Sequence, residues 1–586
     1  MARLLEVDKL TYIYPGQKSD STAALDNISM AIEEGEFVAM IGANGSGKTT
    51  LARHFNALLL PSSGRILVNG FDTRDAGHKN TVRNVVGMVF QNPVDQIIAS
   101  TVEQDVAFGP ENMGLQPVEI HRRVEEALHA TNLWEQRLRP PHLLSAGQMQ
   151  RLAIAGVLAL RPRCIVFDEA TSMLDPAGRK DVMKIIGQLR QEGVTIIYIT
   201  HFMEEAACAD RIVVLHQGQI VFDGAPVVVF SQSSTLRELG LDLPPAAIVA
   251  NMIREHIPQI PPGVLSVVDI VKSIPDFPKR QIPSALGSMV SEERLKLSDG
   301  IIEVSKLGYV YLQGTPLAQR ALDGFSLSVS EHAVHGLLGA TGSGKSTLLQ
   351  HLNALLRPQE GLVRVNSYIL NDRDLDVKSL RKTVGLVFQS PDMQLFEKYV
   401  GNEIAYGPRI MYGKEMLRER VKWAMEIVGL DYEKYKDRLT FTLSGGERRK
   451  VALASTLALQ PKILLLDEPF AGLDPLTRRI LLGRFRDIWS SGITLLFSSH
   501  NMEDATALAG RLTLCNRGRD VLSGSVADVF TQSELLQDLG LELPIVAQVV
   551  EGFRTRGWPI SMTITDAAVL VEVLVKILGV VKDEQF

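Results

Sequence analysis

Cysteine is scarce in this sequence, with only Cys164, Cys208 and Cys515 among 586 residues. They are scattered without metal-ligand spacing, and an odd, sparse count offers no disulfide framework and fits a reducing compartment. Charge of one sign is also lacking. The 61 Lys and Arg against 67 Asp and Glu leave a formal net charge of −6, which argues against nucleic acid as the main partner. Long apolar runs are missing as well, since none approaches the ~20 residues a spanning helix needs. The most apolar stretch, Val569 to Val581, is short and carries Glu572 and Lys576. The opening MARLLEVDKL has neither the basic start nor the apolar stretch of a secretory signal. A membrane role is therefore expected to come through partner subunits.

What the sequence does hold is a duplication. GANGSGKTTL (Gly42 to Leu51) recurs as GATGSGKSTL (Gly339 to Leu348), with Lys48 and Lys345 separated by 345 − 48 = 297. LSAGQ from Leu144 recurs as LSGGE from Leu443, and FDEATSMLDP as LDEPFAGLDP. His201 pairs with His500, and LGLDLP from Leu239 with LGLELP from Leu539. Five distinct blocks at one nearly constant offset mean that a whole unit was copied. Within each copy, continuous apolar strands (EFVAMIG, CIVFDE and TIIYITH; AVHGLLG, ILLLDE and TLLFSSH) alternate with helical patterns such as TLARHFNALL and TLLQHLNALL. That is the pattern of an α/β fold with a parallel sheet buried on both faces. The expected organisation is a first domain over 1–230 with a small C-terminal extension over 231–276. A linker at 277–300, rich in proline, serine and charge, leads to a second domain over 301–530 and its extension over 531–586.

The pattern GxxxxGK[ST] is a phosphate-binding loop. Its glycines let the backbone wrap a phosphate chain, and the N–H groups of the loop and of the following helix point at the negative charge. The candidate residues are Gly42, Asn44, Gly45, Ser46, Gly47, Lys48, Thr49 and Thr50. In the second copy they are Gly339, Thr341, Gly342, Ser343, Gly344, Lys345, Ser346 and Thr347. Lys48 and Lys345 are expected to reach the β- and γ-phosphates of ATP, with Thr49 and Ser346 placing a hydroxyl on Mg²⁺. Asp168 and Asp467 end apolar strands where a carboxylate can hold that metal. Glu169 and Glu468, one residue on, can orient or deprotonate an attacking water.

At LSAGQ and LSGGE the sequence resembles the ATP-binding-cassette (ABC) family, over most of both halves. The fold class implied is two tandem P-loop ABC nucleotide-binding domains that meet head to tail. Ser145 and Gly147, or Ser444 and Gly446, would then cap the γ-phosphate held by the opposite half. The resemblance also implies roles for Gln91 and Gln389 at the metal and for His201 and His500 as γ-phosphate sensors. It gives Asp175 and Asp474 a place in communication between the domains. Tyr14 and Tyr311 take the adenine-stacking role, with Tyr12 and Tyr309 as rivals. Ala146, where glycine is usual, and Glu447, where glutamine is usual, depart from the family pattern. Both halves keep a glutamate and a histidine, so two hydrolysing sites are expected, the one facing LSAGQ being modestly slower.

FQNPVDQIIASTVEQDVAFGPEN (Phe90 to Asn112) and its looser copy FQSPDMQLFEKYVGNEIAYGP (Phe388 to Pro408) resemble the ATPases of energy-coupling-factor (ECF) importers, here fused as a pair. The implied role is a motor on the cytoplasmic face of a membrane, peripheral to it. Its partners would be a transmembrane coupling subunit and a substrate-binding membrane subunit. Asp95, Gln96, Asp392 and Gln394 are candidates to line the groove for a coupling helix. An exporter, a cobalt or nickel importer, and a ribosome- or DNA-associated tandem cassette stand as alternatives. The last would need a basic helical arm or inserted zinc-binding cysteines, and the sequence has neither.

Overall fold

In each repeat the apolar runs form the centre of a six-stranded sheet. The structure is a computed structural model describing residues 3–15, 23–172, 174–275, 300–315, 318–414, 416–471, 473 and 475–578. Asp474, nearly all of the expected linker and the last eight residues of the second extension lie outside them. The chain divides into two compact units, one built on residues 1–273 and the other on residues 274–473 with 477–586.

The first unit opens with β1 (Arg3–Tyr12) and β2 (Leu25–Glu33), followed by β3 (Phe37–Ile41), β4 (Ser63–Val68), β5 (Phe71–Asp72) and β6 (Val86–Val89). After a helical segment come β7 (Cys164–Asp168), β8 (Thr195–Ile199), β9 (Arg211–His216) and β10 (Gln219–Gly224). The large sheet has the order β10-β9-β3-β8-β7-β6. It is parallel from β6 to β9 and antiparallel only at β10. Every residue of β3, β7 and β8 is buried, as expected for strands covered on both faces. A second sheet, β2-β1-β4-β5, is antiparallel throughout. The sequence reading did not anticipate it. Its register shifts near Lys9 and Asn27, both in left-handed backbone, interrupt the period-2 pattern that marks a half-buried strand.

The sheet faces carry different partners. Val38, Met40 and Val166 pack with the antiparallel sheet and with Leu51 and Phe55 of the helix Lys48–Phe55. That helix is shorter than the pattern TLARHFNALL suggests. It stops at Asn56, and Ala57 turns into left-handed backbone (φ 54°), a common way to close a helix. Phe37, Ala39 and Ile41 face the other way. They pack with the helices Ala146–Leu158 and Pro176–Gln191 and with Leu236, Leu241, Leu243 and Ala247 beyond residue 230. A separate helical cluster joins Val102, Val106, Val124 and Leu128 to Leu152 and Ala155 of the helix Ala146–Leu158.

The second unit repeats this plan: β11 (Ile302–Tyr311), β12 (Gln319–Val329), β13 (Val334–Leu338), β14 (Glu360–Val365), β15 (Tyr368–Ile369), β16 (Val384–Val387), β17 (Ile463–Leu466), β18 (Thr494–Ser499), β19 (Arg511–Asn516) and β20 (Arg519–Ser525). Its sheets have the orders β12-β11-β14-β15 and β16-β17-β18-β13-β19-β20. The helices Val526–Phe530, Ser533–Asp538, Ile545–Thr555 and Ala567–Leu578 follow. Among the described residues no helix is long and apolar enough to cross a membrane.

Gly64 and Gly70 both sit in left-handed backbone (φ 80° and 83°) with very different surroundings. A methyl on Gly64 would lie 2.2 Å from the Lys9 carbonyl oxygen, whereas one on Gly70 would meet nothing within 4 Å. Gly70→Ala should cost only the left-handed penalty of ~1 kcal/mol. Gly64→Ala must also displace β1 and should lower the thermal midpoint several-fold more. Equal shifts in calorimetry would refute this packing of β1 on β4.

Candidate active site

The phosphate loop follows β3 and leads into the helix Lys48–Phe55, with Gly47 at the N-cap in left-handed backbone (φ 104°). Side chains are sterically barred from its start. A Cβ on Gly42 would come within 2.4 Å of both the Leu215 carbonyl oxygen and Ser46 Oγ. Lys48 Nζ donates to the carbonyl oxygens of Gly42 (2.7 Å) and Ala43 (3.1 Å). Lys345 repeats this with Gly339 (2.6 Å) and Ala340 (3.1 Å). Ser46 Oγ and Ser343 Oγ are buried without a hydrogen-bond partner in the described structure. A buried hydroxyl left unsatisfied inside a glycine cradle fits a loop built around an anion.

The sheet brings the acidic residues to the same edge. Thr49 Oγ1 donates to Asp168 Oδ1 at 2.9 Å, and Ser346 Oγ to Asp467 Oδ1 at 3.0 Å. Ser498 Oγ, on β18, gives Asp467 a further bond at 2.7 Å and accepts from the Glu468 N–H at 2.8 Å. Hydroxyl, carboxylate and the glutamine amide oxygen are hard oxygen donors of the type Mg²⁺ prefers, so this set fits that ion. Burial pushes the Asp168 carboxyl up to about 6, against the bond from Thr49. Asp467 is raised for the same reason, against the bonds from Ser498 and Ser346.

Glu169 and Glu468 lie just past these aspartates, both with positive φ (51° and 47°). Non-glycine residues adopt this conformation at a cost of order 1–3 kcal/mol, and such strain collects at functional sites. The sequence gives no sign of it. His201 Nε2 pairs with Glu169 Oε1 at 2.5 Å, whereas His500 uses Nδ1 to meet Glu468 Oε2 at 2.9 Å. Gln91 Nε2 donates to Glu169 Oε2 at 2.8 Å, and Lys345 Nζ lies 3.7 Å from Glu468 Oε1. Burial opposes ionisation of both glutamates. The hydrogen bond and charge of the facing histidine, then the charge of the loop lysine, outweigh it and hold each carboxyl below its usual value.

The other sequence candidates lie at helix N-termini and at or near the ends of β1 and β11. Ser145 and Ser444 are exposed N-caps with capping boxes. Ser145 Oγ accepts from the Gln148 N–H (3.2 Å) and Ser444 Oγ from that of Glu447 (3.3 Å). Gly147 and Gly446 occupy the first turn of the same helices. A Cβ on Gly445, the counterpart of Ala146, would meet nothing within 4 Å, so the extra methyl of Ala146 costs nothing within its own half. Tyr12 is buried edge-on against His54, whereas Tyr14 is partly exposed with its hydroxyl 3.0 Å from Thr50 Oγ1. In the second half Tyr309 also lies edge-on to a histidine, His351, but it is half-buried, as is Tyr311, whose hydroxyl lies 3.3 Å from Thr347 Oγ1. Asp175 caps the helix Pro176–Gln191 by accepting from the Gly178 N–H at 2.9 Å.

Gln96 and Gln394 turn inward. Gln96 Nε2 donates to the Ala153 carbonyl oxygen at 3.2 Å, and Gln394 Nε2 to that of Ala452 at 2.8 Å. They fasten their segments to the signature helices. Asp95 is exposed, and Asp392 is ion-paired with Arg448 at 2.8 Å. In the first half a groove of about 470 Å³ opens beside this segment, lined by Met88, Phe90, Gln96, Ile98, Phe108 and Val157 among others. None of its lining residues belongs to the phosphate loop.

The raised Asp168 carboxyl has a consequence for stability. A group protonated more readily in the folded chain contributes stability that is present below its unfolded value of 3.8 and is lost as pH rises through about 6. At ~1.4 kcal/mol per pKa unit the loss is about 3 kcal/mol. Asp168→Asn keeps an acceptor for Thr49 without the charge. In nucleotide- and metal-free protein it should raise the thermal midpoint above pH 7 and bring little gain near pH 4. A gain independent of pH would contradict this assignment.

A family model described as ABC transporter matches residues 25–172 and 322–471. A candidate ABC transporter ATP-binding protein of Caldanaerobacter subterraneus subsp. tengcongensis is 35% identical over 557 residues, covering 93% of this chain and 95% of that one. The energy-coupling factor transporter ATP-binding protein EcfA1 of the same organism is 48% identical over 275 residues, 47% of this chain and 99% of its own length. The corresponding protein of Symbiobacterium thermophilum is 50% identical over 270 residues, 45% of this chain and 94% of its own. Among solved structures, cbiO1 of Clostridium perfringens, described as part of the ABC transporter complex cbiONQ, shares 39% identity over 42% of this chain and 97% of its own, with a TM-score of 0.37. With the family match falling once on each unit, the chain belongs to the ABC transporter family and is a nucleotide-binding ATPase with two tandem cassettes.

Proposed function

We propose that this chain is the ATP-hydrolysing motor of an ECF-type importer for vitamins or other micronutrients, peripheral to the cytoplasmic face of the membrane. The observation that carries this reading is the similarity of just under half of this chain to nearly the whole of energy-coupling factor ATP-binding proteins. A single-cassette relative of that class is matched over 99% of its length at 48% identity. The apolar groove beside Gln96 supports it, because an amphipathic helix of a membrane subunit needs such a surface.

In this reading Lys48 and Lys345 bind the β- and γ-phosphates of ATP, and Tyr14 and Tyr311 stack on adenine. Thr49, Asp168 and Gln91, or Ser346, Asp467 and Gln389, would hold Mg²⁺, which would supply positive charge to offset that of the phosphates. Glu169 and Glu468 hold the attacking water and accept its proton. Their depressed carboxyls are ionised at neutral pH, as a base requires. His201 and His500, now on the glutamates, would turn to the γ-phosphate. Ser145 with Gly147, and Ser444 with Gly446, cap that phosphate across a head-to-tail pair of cassettes. Closure is then driven by ATP binding the closed form better, each tenfold preference being worth ~1.4 kcal/mol.

Two measurements test this. Glu169→Gln and Glu468→Gln, made separately, should each cut steady-state ATP turnover at least tenfold; full turnover in either variant contradicts two coupled hydrolysing sites. Purification from detergent-solubilised membranes should bring down an integral membrane coupling subunit and a small substrate-binding membrane protein. Recovery of ribosomes or DNA instead would reject the importer reading.

A further inference from the structure

The duplication makes each cassette a reference for the other, and the loops after the two catalytic glutamates are anchored differently. In the first half Thr171, two residues past Glu169, donates to Glu205 Oε2 at 2.9 Å. The same oxygen accepts from Tyr198 (2.7 Å) and Thr200 (2.7 Å). The anchor therefore comes from β8 and the turn beyond it. In the second half Phe470 and Phe497 stand at the positions of Thr171 and Tyr198, and neither can donate. Asp504, in the place of Glu205, pairs with Arg478 at 2.6 Å.

A different group serves the second loop. Arg449 lies on the signature helix where the first half has Gln150, whose buried Nε2 has no hydrogen-bond partner among the described residues. Its Nη1 donates to the carbonyl oxygen of Pro469, next to Glu468, at 2.6 Å, and its Nη2 to that of Gln389 at 3.0 Å. Apolar side chains wall it in, among them Phe388, Leu453, Leu481 and Phe485. A guanidinium is costly to place there, and burial pushes its pKa down to about 10 against the charge of Glu468. Charge-assisted bonds from a planar fork are strong and directional, and its separate nitrogens reach carbonyls in two different segments with a fixed geometry that a lysine's single ammonium lacks.

We propose that Arg449 is a positioning residue of the second nucleotide site, a bridge that ties the loop after Glu468 to the segment carrying Gln389. Displacement of the Phe388–Gln394 segment is thereby passed to the catalytic glutamate of the second half. Among the described residues no arginine ties the loop after Glu169 in this way, and the Thr171–Glu205 bond anchors it instead. The proposal rests on the ATPase family and not on the importer reading.

The test uses the full chain with Arg449→Gln, which installs the residue of the first half, and Arg449→Lys. In nucleotide-free protein, hydrogen exchange measured by mass spectrometry should rise at least threefold in peptides around Gln389 and around Pro469 in Arg449→Gln. Peptides around Gln91 and Ala170 should stay within experimental error. Steady-state kcat should fall about fivefold with KM for ATP within twofold, and Arg449→Lys should give an intermediate kcat. Unchanged exchange in both second-half segments would overturn the bridge. So would a rise spread over the whole second unit, or full restoration by Arg449→Lys. The exchange result stands whether or not membrane partners are ever found, so its failure is distinct from failure of the importer reading.

Discussion

A carboxylate held ionised in a largely dry cleft is the constraint around which both cassettes are arranged. Glu169 and Glu468 leave the sheet in left-handed backbone, each facing a histidine and sharing its cleft with the lysine of the phosphate loop. Burial alone would raise their carboxyls; the facing histidine and the loop lysine lower them instead. The preceding aspartates lack a facing histidine, and burial shifts them the opposite way. Two adjacent carboxyls thus shift in opposite directions, and the glutamate is the one left ionised as the base that the proposed hydrolysis needs.

Holding those groups together takes a rigid sheet. β3, β7 and β8 are buried along their whole length, and their C-terminal ends deliver the phosphate loop, the acidic pair and the histidine to one edge. This is the side on which open α/β sheets collect ligands. The antiparallel sheet and the helical cluster are additions to that frame. The first brings Tyr14 against Thr50, and the second carries the groove wall near Gln96. The phosphate-loop edge and this groove thus lie on different layers of the first unit, joined by the segment after Gln91.

Much of this was legible in the sequence, for identifiable reasons. Strands buried on both faces read as unbroken apolar runs, so CIVFD and TIIYI announced themselves. Phosphate loops need glycines at fixed spacing, so Gly42 and Gly339 did too. The duplication supplied the register that singled out His201 and His500 from ordinary strand-end histidines. The edge sheet was not legible, because bulges at Lys9 and Asn27 broke its alternation. Nor was the backbone strain at the glutamates, which leaves no mark on composition. Tyr12 and Tyr14 could not be separated by spacing; burial of Tyr12 against His54 distinguishes them. The difference between Gln150 and Arg449 was visible on aligning the halves. Its meaning was not, because a helix-face arginine is usually solvated, and only the fold shows which carbonyls it meets.

In the proposed motor, ATP is shared between one half's phosphate loop and the other half's signature helix. Cysteines at Asn44 and Gly445, in a chain with Cys208 replaced by serine, place one thiol beside each element; Gly445 has room for the side chain. Under mild oxidation with hydrolysis blocked, ATP should increase disulfide formation between these positions at least fivefold over nucleotide-free protein. Cross-linking that is absent or indifferent to ATP, within a chain and between chains, would contradict the shared site.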